Sequence, residues 1–353
     1  MHLLLIKDKN AMSISKSWAF RTTAVTAGAL LIAAVLGAAY ERIAQQRAAE
    51  NFPPPGKLVD IGGRRVQLHC IGAGSPTVVF EAGLTLEGAT TWSLVHRPIS
   101  AFARACTYSR AGLMWSDETH RRQSGRQVAQ DLHATLKNAG ESGPFILVGH
   151  SLGGPYSMTY TKYFGEEVAG LVLVDASHPD QVRKTKPIMT KPKPLLLRIG
   201  APLAWTGLVR AVSPMLVPHD PDRGPRDVDA VRAYAPRSLA ALMTESEELD
   251  AVLAEAGTFR DLGCRPLYVL TAMKPYPAEQ LRAMKIDVQQ GKQVQAIWRN
   301  LQEDMAGWST WSEHQVLDQT GHGIQFEDPQ AVVAAVRSVV ESSRSNHCDP
   351  SFW

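Results

Sequence analysis

A serine held between glycines is the residue of this chain best suited to nucleophilic chemistry. Gly149-His150-Ser151-Leu152-Gly153 follows an apolar run from Phe145 to Val148, which predicts a short buried strand. The residues after the motif can form a helix that ends at Gly165. A turn between strand and helix exposes the serine hydroxyl, and it needs glycine where a side chain would collide with its neighbours. The positive N-terminal end of the helix favours negative charge at the serine.

A base must accompany this serine, because a hydroxyl is a weak nucleophile at neutral pH. His322 is the candidate, and it lies in Gly321-His322-Gly323, after the last predicted strand. An imidazole titrates near neutrality, so it can take the serine proton and return it to a leaving group. His150, inside the serine motif, is interpreted as a packing or hydrogen-bonding neighbour.

A carboxylate is the expected third partner, since it would hold the imidazole tautomer and stabilise the imidazolium. Asp175 is the candidate because it ends the predicted strand Leu171–Val174. Glu279 and Asp304 remain alternatives, and Asp175 could instead be only a turn or N-cap residue. The candidate serine, histidine and aspartate all fall at strand ends, where parallel sheets place their sites.

Eight predicted strands must position these groups. They cover 58–61, 65–70, 77–81, 106–110, 145–148, 171–174, 267–270 and 315–317. A helix over 126–139 carries one apolar stripe, with Ser124 and Gln127 as a capping box. A second helix runs from Pro329 through Val340, with Asp328 as its N-cap. Strands that alternate with helices in this way predict an α/β protein with a mostly parallel sheet and helices on both faces.

The serine motif, Gly149 to Gly154, resembles the nucleophile turn of the α/β-hydrolases, and the similarity extends over about residues 56 to 342. The resemblance implies an α/β-hydrolase fold with a mostly parallel eight-stranded sheet and a helical cap. It also implies that Ser151 is the nucleophile and that the loop around His322 is the catalytic-histidine loop. The oxyanion hole would use the backbone N–H groups of Leu152 and Leu84, because Gly83-Leu84 resembles the oxyanion loop of the family.

The chain departs from the family pattern at two places. Ser109 stands where the family commonly has aspartate, within Tyr108-Ser109-Arg110. Many members carry their catalytic acid after the penultimate strand, but here no carboxylate follows Leu270 until Glu279. Some members place the acid at the strand end that Asp175 occupies, and this placement favours Asp175.

The domain organisation follows from these elements. The core is expected at 57–175 and 265–345, and a cap at 176–264, which has no strand pattern and contains helical stretches such as 238–256. The apolar cap residues could pack on the core, line an acyl pocket or touch a bilayer. They are Leu195 to Leu197, Trp205, Leu208, Val209 and Met215 to Val217, and the basic residues expected beside such a bilayer surface are Lys184, Lys186, Lys191 and Lys193.

An N-terminal segment precedes the core. The stretch 22–40 contains no charged residue and is just long enough to cross a bilayer, as a membrane anchor or as a signal peptide cut near residues 37–39. The basic residues of 1–21 predict a cytoplasmic tail, so the catalytic domain would lie outside the inner face of the membrane, or be secreted after cleavage. Residues 41–56, which include Pro53-Pro54-Pro55, are expected to form a linker.

Composition narrows the partners. The 353 residues carry a formal charge of +3, which does not indicate nucleic-acid binding. Four cysteines without a Cys-x-x-Cys spacing make a structural zinc site improbable, and no cofactor or metal is expected. If the strand order is that of the family, Cys70 could pair with Cys106, and Cys264 could pair with Cys348, as suits an extracytoplasmic protein. Four unrelated buried thiols are the alternative.

The resemblance implies a serine hydrolase that cleaves small acyl esters through an acyl-enzyme. The alternatives are amide or carbon–carbon bond hydrolysis on the same scaffold, or a catalytically silent ligand-binding protein. Dehalogenase and epoxide hydrolase chemistry is disfavoured, because such relatives carry a carboxylate nucleophile where this chain has Ser151.

Overall fold

One eight-stranded sheet organises the protein. The computed structural model describes residues 7–119, 121–189, 200–219 and 223–345, with side chains from residue 22 onward. The strands are β1 (Lys57–Asp60), β2 (Arg65–Ile71), β3 (Thr77–Glu81), β4 (Arg104–Ser109), β5 (Phe145–His150), β6 (Val168–Val174), β7 (Leu267–Ala272) and β8 (Ser312–Leu317). Each predicted strand exists. Several are longer than predicted, because their end residues lie outside the apolar run that marks the strand centre, as Gly149 and His150 do at the end of β5.

The strand order is β1-β2-β4-β3-β5-β6-β7-β8. The pairs β1–β2 and β2–β4 are antiparallel, and all the others are parallel. The prediction of a mostly parallel eight-stranded sheet is therefore confirmed. Since parallel strands point the same way, the carboxyl ends of β3, β5, β6 and β7 lie along one edge of the sheet, where a site can be assembled.

Helices cover both faces of the sheet, as predicted. They are α1 (Lys7–Asn51), α2 (Ser93–Ser100), α3 (Gly125–Ala139), α4 (Gly153–Phe164), α5 (Gln181–Thr185), α6 (Leu208–Leu216), α7 (Pro225–Ala256), α8 (Ala278–Met284), α9 (Val288–Ala306), α10 (Ile324–Glu327) and α11 (Pro329–Ser345). Apolar residues of α3, α4 and α9 share one buried cluster with the sheet, and those of α2 and α11 share another.

The N-terminal caps of α3 and α9 agree only in part with the predictions from the sequence. Ser124 accepts a hydrogen bond from the Gln127 backbone, but the Gln127 side chain bonds to Asp131, so the predicted capping box is only half formed. A complete capping box joins Asp287 to Gln290 at the start of α9. That helix was not predicted, although its Asp-x-x-Gln signal is in the sequence.

The N-terminal segment differs from the expected linker. Helix α1 continues through Asn51, so residues 41–51 are helical, and only the segment after the helix remains non-helical up to β1. The part of α1 from Glu41 onward packs on the helical segment 176–264, which we call the cap. Ala48 is buried there, and Glu41 is paired with Arg210. This packing explains why a polar stretch stays helical. One helix of the described chain, over Thr22–Asn51, is long and apolar enough to cross a membrane.

The segment 176–264 contains helices and no strand among its described residues. Its described elements are α5, a short 3-10 helix (Ala201–Thr206), α6 and the long α7. The apolar residues Leu195 to Leu197 and the basic residues Lys191 and Lys193 lie outside the described residues.

A disulfide joins the two core strands β2 and β4. Cys70 and Cys106 lie directly opposite each other in the antiparallel pair, and their Cα atoms are 4.0 Å apart. The first predicted disulfide is therefore confirmed. The second includes Cys348, which lies outside the described residues.

Candidate active site

Ser151 lies on the tight turn between β5 and α4. Its φ of 52° is in the left-handed region, which is strained for a residue with a side chain. The backbone around it is fixed on both sides: its N–H donates to the Val174 carbonyl at 3.3 Å, and its own carbonyl accepts from Ser177 at 2.8 Å. The serine is partly exposed, and the buried residue Leu152 follows it.

The glycines around Ser151 are required by space, as the sequence analysis proposed. A Cβ on Gly153 would lie 2.1 Å from the carbonyl oxygen of Glu81 in β3, and a Cβ on Gly149 would lie 2.6 Å from the carbonyl of Gly153. On the opposite side, a Cβ on Gly83 would lie 2.9 Å from the Cβ of Ser151. The loop after β3 therefore approaches the serine as closely as a glycine allows.

His322 and Asp175 form a hydrogen-bonded pair at the same edge of the sheet. The Nδ1 atom of His322 lies 2.6 Å from Oδ2 of Asp175. The other carboxylate oxygen, Oδ1, accepts from the backbone N–H of Ala272 at 3.0 Å and from the indole N–H of Trp298 at 2.8 Å. Three partners thus hold the carboxylate, and Asp175 itself has a strained φ of 41° at the end of β6.

The contact with Asp175 changes the pKa of His322. Desolvation lowers the pKa of His322, but the hydrogen bond that its ring donates to Asp175 and the negative charge of that carboxylate raise it by more, so the net pKa lies above the ordinary value. The imidazole side chain is 54% exposed, which leaves the ring open to a substrate.

His150 connects the serine turn to His322. Its Nε2 atom donates to the backbone carbonyl of His322 at 2.9 Å, and the two rings lie 4.6 Å apart between centroids. The prediction that His150 is a packing and hydrogen-bonding neighbour is confirmed. Burial and the neighbouring His322 lower the pKa of His150 to about 3, so His150 is neutral at physiological pH.

The alternative acids lie elsewhere. Asp304 accepts from His178 at 2.9 Å and from Trp308 at 3.0 Å, and Glu279 is exposed in the first turn of α8. Of the three carboxylates considered from the sequence, Asp175 is the one that the structure brings to His322.

The loop after β3 lies beside the serine turn. Leu84 packs in the same small apolar cluster as Leu152, together with Val128, Tyr156 and Val252. The two residues proposed for the oxyanion hole are therefore neighbours. Within the part of the chain that the structure describes, the N–H groups of Leu84 and Leu152 donate no hydrogen bond to a backbone carbonyl.

Arg110 holds this loop, a role that the sequence analysis missed. Its buried guanidinium donates to the carbonyls of Ala82 at 2.6 Å and Gly83 at 2.7 Å. It also forms ion pairs with Glu81 of β3 and with Glu245 of the cap helix α7, each at 2.7 Å. Burial raises the pKa of Glu81 to about 7 in spite of Arg110. The only sequence signal was the family-like Tyr108-Ser109-Arg110 segment.

A cavity of about 450 Å³ opens beside the His322–Asp175 pair. Trp298 and Tyr276 supply aromatic surface to its wall, while Gln295 supplies an amide. Ser151 is not among its lining residues. A larger cavity of about 720 Å³ lies between the segment after α1, β2 and α2, and it contains none of the candidate catalytic residues.

Potential metal ligands come together at one place in the described residues. Cys70, Cys106 and Glu141 lie within reach of one ion, but the two cysteines are joined in the disulfide and Glu141 is paired with Arg104. The chemistry of this group therefore does not fit a metal site.

Solved structures of hydrolases share this architecture. An esterase from Thermogutta terrifontis superposes with a TM-score of 0.55 at 18% identity, covering 82% of this chain and 98% of its own. A Pseudomonas aeruginosa protein described as an epoxide hydrolase gives a TM-score of 0.59 at 18% identity, covering 83% of this chain and 98% of its own. At these identities the likeness shows the fold alone.

Curated relatives are longer than the region they share with this chain. A "Probable transporter efuK" of Hormonema carpetanum is 27% identical over 321 residues, which cover 80% of this chain and 42% of the relative. A 2-hydroxy-6-oxo-2,4-heptadienoate hydrolase of Pseudomonas putida is 30% identical over 122 residues, which cover 34% of this chain and 44% of the relative. The chain thus spans less than half the length of these two relatives.

Residues 68–336 match the sequence profile of the alpha/beta hydrolase family. This region includes the serine turn, the end of β6, the cap and the histidine loop. It comprises more than half of the chain, and the eight-stranded sheet has the architecture of the solved hydrolases. The chain belongs to the alpha/beta hydrolase family.

Proposed function

We propose that this hydrolase cleaves small carboxylic esters. Ser151 is the nucleophile, His322 is the base, and Asp175 is the acid that orients the histidine. The observation that carries the proposal is the Asp175–His322 hydrogen bond of 2.6 Å, formed beside a strained serine turn. Since Nδ1 of His322 is bound to the carboxylate, the free Nε2 atom is the one available to take a proton from the serine.

The reaction would proceed in two halves. The Oγ atom of Ser151 attacks the ester carbonyl carbon while His322 takes its proton, and the N–H groups of Leu84 and Leu152 stabilise the oxyanion. Collapse of this intermediate breaks the carbon–oxygen bond, and His322 gives its proton to the leaving alcohol. Water, deprotonated by His322, then attacks the acyl-enzyme, and the acid is released with the serine restored.

The proposed location follows the N-terminal helix. We infer that residues 22–40 anchor the protein in a membrane, because the stretch is uncharged and its basic flank, with Lys7, Lys16 and Arg21, precedes it. The catalytic domain would then lie on the extracytoplasmic side, where the Cys70–Cys106 disulfide is stable. A signal peptide that is removed would instead release the same domain.

A fluorophosphonate probe tests the serine directly. We expect wild type to be labelled and Ser151→Ala to be unlabelled. Ser157→Ala is the matched control, since Ser157 is a buried serine of α4 whose hydroxyl bonds to the Gly153 carbonyl, and its loss should preserve labelling. Equal labelling of wild type and Ser151→Ala would exclude Ser151 as the nucleophile.

A series of nitrophenyl esters with increasing acyl length then tests the bond type. Turnover that depends on Ser151 supports ester cleavage. The Pseudomonas putida relative is named a 2-hydroxy-6-oxo-2,4-heptadienoate hydrolase, and this favours hydrolysis of such a dienoate as the second candidate. A labelled but ester-inactive protein would direct assays to such dienoates and to amides, and an unlabelled wild type would indicate a silent binding protein.

A further inference from the structure

The cap touches α1 inside its uncharged stretch. A Cβ on Gly37 would lie 2.3 Å from the carbonyl oxygen of Thr206, and a Cβ on Gly207 would lie 2.8 Å from the Tyr40 ring. Gly207 has a φ of 76°, which a side chain would also oppose. The two backbones therefore meet at glycines, and the 3-10 helix of the cap lies directly against the C-terminal end of the proposed membrane span.

A buried ion pair between Arg210 and Glu41 holds the cap against this end of the uncharged stretch. The Arg210 guanidinium donates to both carboxylate oxygens of Glu41, at 2.7 and 2.8 Å, and the two side chains are 13% and 2% exposed. Glu41 is the first charged residue after the uncharged stretch. With a rise of about 1.5 Å per residue, Gly37 lies about 6 Å deeper than Glu41 along the helix. The cap segment between Thr206 and Arg210 thus lies at the level where the span would leave the bilayer.

Large apolar side chains are exposed in this segment of the cap and along the α6 helix that follows it. Trp205 and Leu208 are each 52% exposed, Leu203 is 36% exposed and Met215 is 84% exposed. Leu208 and Met215 are seven residues apart in α6, so they lie on one face of that helix. The residues of α6 that lie away from this face are buried, for example Ser213 on the opposite side. Exposed apolar residues grouped in this way mark an interaction surface.

We propose that Leu203, Trp205, Leu208 and Met215 form a docking surface that enters the headgroup and acyl boundary of the bilayer crossed by α1. The occupant is lipid because this surface continues from the span itself, through the Gly37–Thr206 and Tyr40–Gly207 contacts. Tryptophan and tyrosine are the side chains enriched at that depth, and amphipathic helices bury their apolar face there. The inference rests on the proposed anchor and is independent of the reaction that the site catalyses.

Spin-label depth measurements on the full chain test the surface. Trp205→Cys, carrying a nitroxide, is reconstituted in vesicles of phosphatidylcholine and phosphatidylglycerol, and its collisions with oxygen and with a water-soluble nickel chelate are compared. We expect oxygen collisions to dominate. Trp311→Cys is the matched control: Trp311 is 42% exposed but precedes β8, at the end of the sheet opposite the cap, so the nickel chelate should dominate there.

Two further variants make the outcome decisive. Leu30→Cys reports on the span, and Leu208→Cys repeats the cap measurement where Trp205→Cys fails to fold. A lipid-exposed label at residue 30 with water-exposed labels at 205 and 208 would overturn the docking surface and keep the anchor. A water-exposed or missing label at residue 30 would overturn both. Labels at 205 and 208 that are shielded from both reagents would indicate a protein partner and also overturn the proposal.

Discussion

Asp175 binds the Nδ1 atom of His322 at 2.6 Å although 147 residues separate them in the chain. Asp175 directly follows β6, and His322 follows β8, two strands away in the sheet. The intervening strand β7 contributes the Ala272 N–H to the same carboxylate, and α9 contributes Trp298. Four segments therefore meet at the carboxyl edge of the sheet to form and hold the pair: those that follow β6 and β8, the strand β7 and the helix α9.

Replacing Asp175 with asparagine should leave the protein folded and slow ester turnover by a factor on the order of 10⁴. The amide oxygen can still accept from Ala272 and Trp298, but the NH₂ group then faces Nδ1 of His322 and selects the wrong tautomer. The turnover number of purified Asp175→Asn on a nitrophenyl ester measures the effect. Asp304→Asn is the control, because Asp304 bonds to His178, and full activity in Asp175→Asn would contradict the assigned role.

The pH dependence of ester cleavage should report His322. The base must be neutral, and Asp175 raises the pKa of His322, so kcat/KM should fall as the pH drops through a value above that of an ordinary histidine. His150 does not interfere, because its pKa is about 3. In Asp175→Asn the desolvation remains and the raising influences are gone, so the inflection of the residual activity should move to lower pH. An inflection that does not move would show that another group titrates.

Gly83→Ala should impair catalysis more than stability. The new Cβ would meet the Ser151 Cβ at 2.9 Å and the His150 Nδ1 at 3.2 Å, so the serine turn and the loop after β3 must separate. A displacement of this size can cost about 10²-fold in rate. The measurement is kcat together with the urea midpoint. Gly224→Ala is the control, since the nearest atom to its new Cβ would be 3.8 Å away. Equal activities in the two variants would show that a side chain at residue 83 does not disturb the serine turn.

Arg110→Met should destabilise the protein by about 3–5 kcal/mol, because it leaves the buried carboxylates of Glu81 and Glu245 without their cation. Arg122 offers a matched comparison. Like Arg110 it pairs with a glutamate of α7, here Glu248, but its side chain is 84% exposed. Arg122→Met should therefore cost much less stability, because solvent screens an exposed ion pair. Urea unfolding of both variants decides this, and similar losses would argue that burial does not distinguish the two pairs.

Local sequence patterns were sufficient for the parts of the fold that depend on neighbouring residues. Runs of apolar residues located all eight strands. The clearest are those of the parallel strands β3, β5 and β6, because a parallel strand that is buried on both faces must be apolar on both. The glycines around Ser151 located the turn, since their lack of a side chain is required by contacts within the turn and with β3. The chain order of Ser151, Asp175 and His322 followed from the same elements. By contrast, the polar stretch 41–51 was misread as part of a linker, because its helix depends on packing against the cap.

Only the tertiary structure decided which distant groups meet. From the sequence, Asp175, Glu279 and Asp304 were all candidate partners of His322, and strand order together with the position of α9 brought the first to the histidine and the last to His178. Arg110 and Glu245 are 135 residues apart and make their ion pair only because α7 packs against the segment that follows β4. Sequence patterns report local periodicity and turn chemistry, whereas such contacts depend on how whole elements pack, and no local pattern encodes that packing.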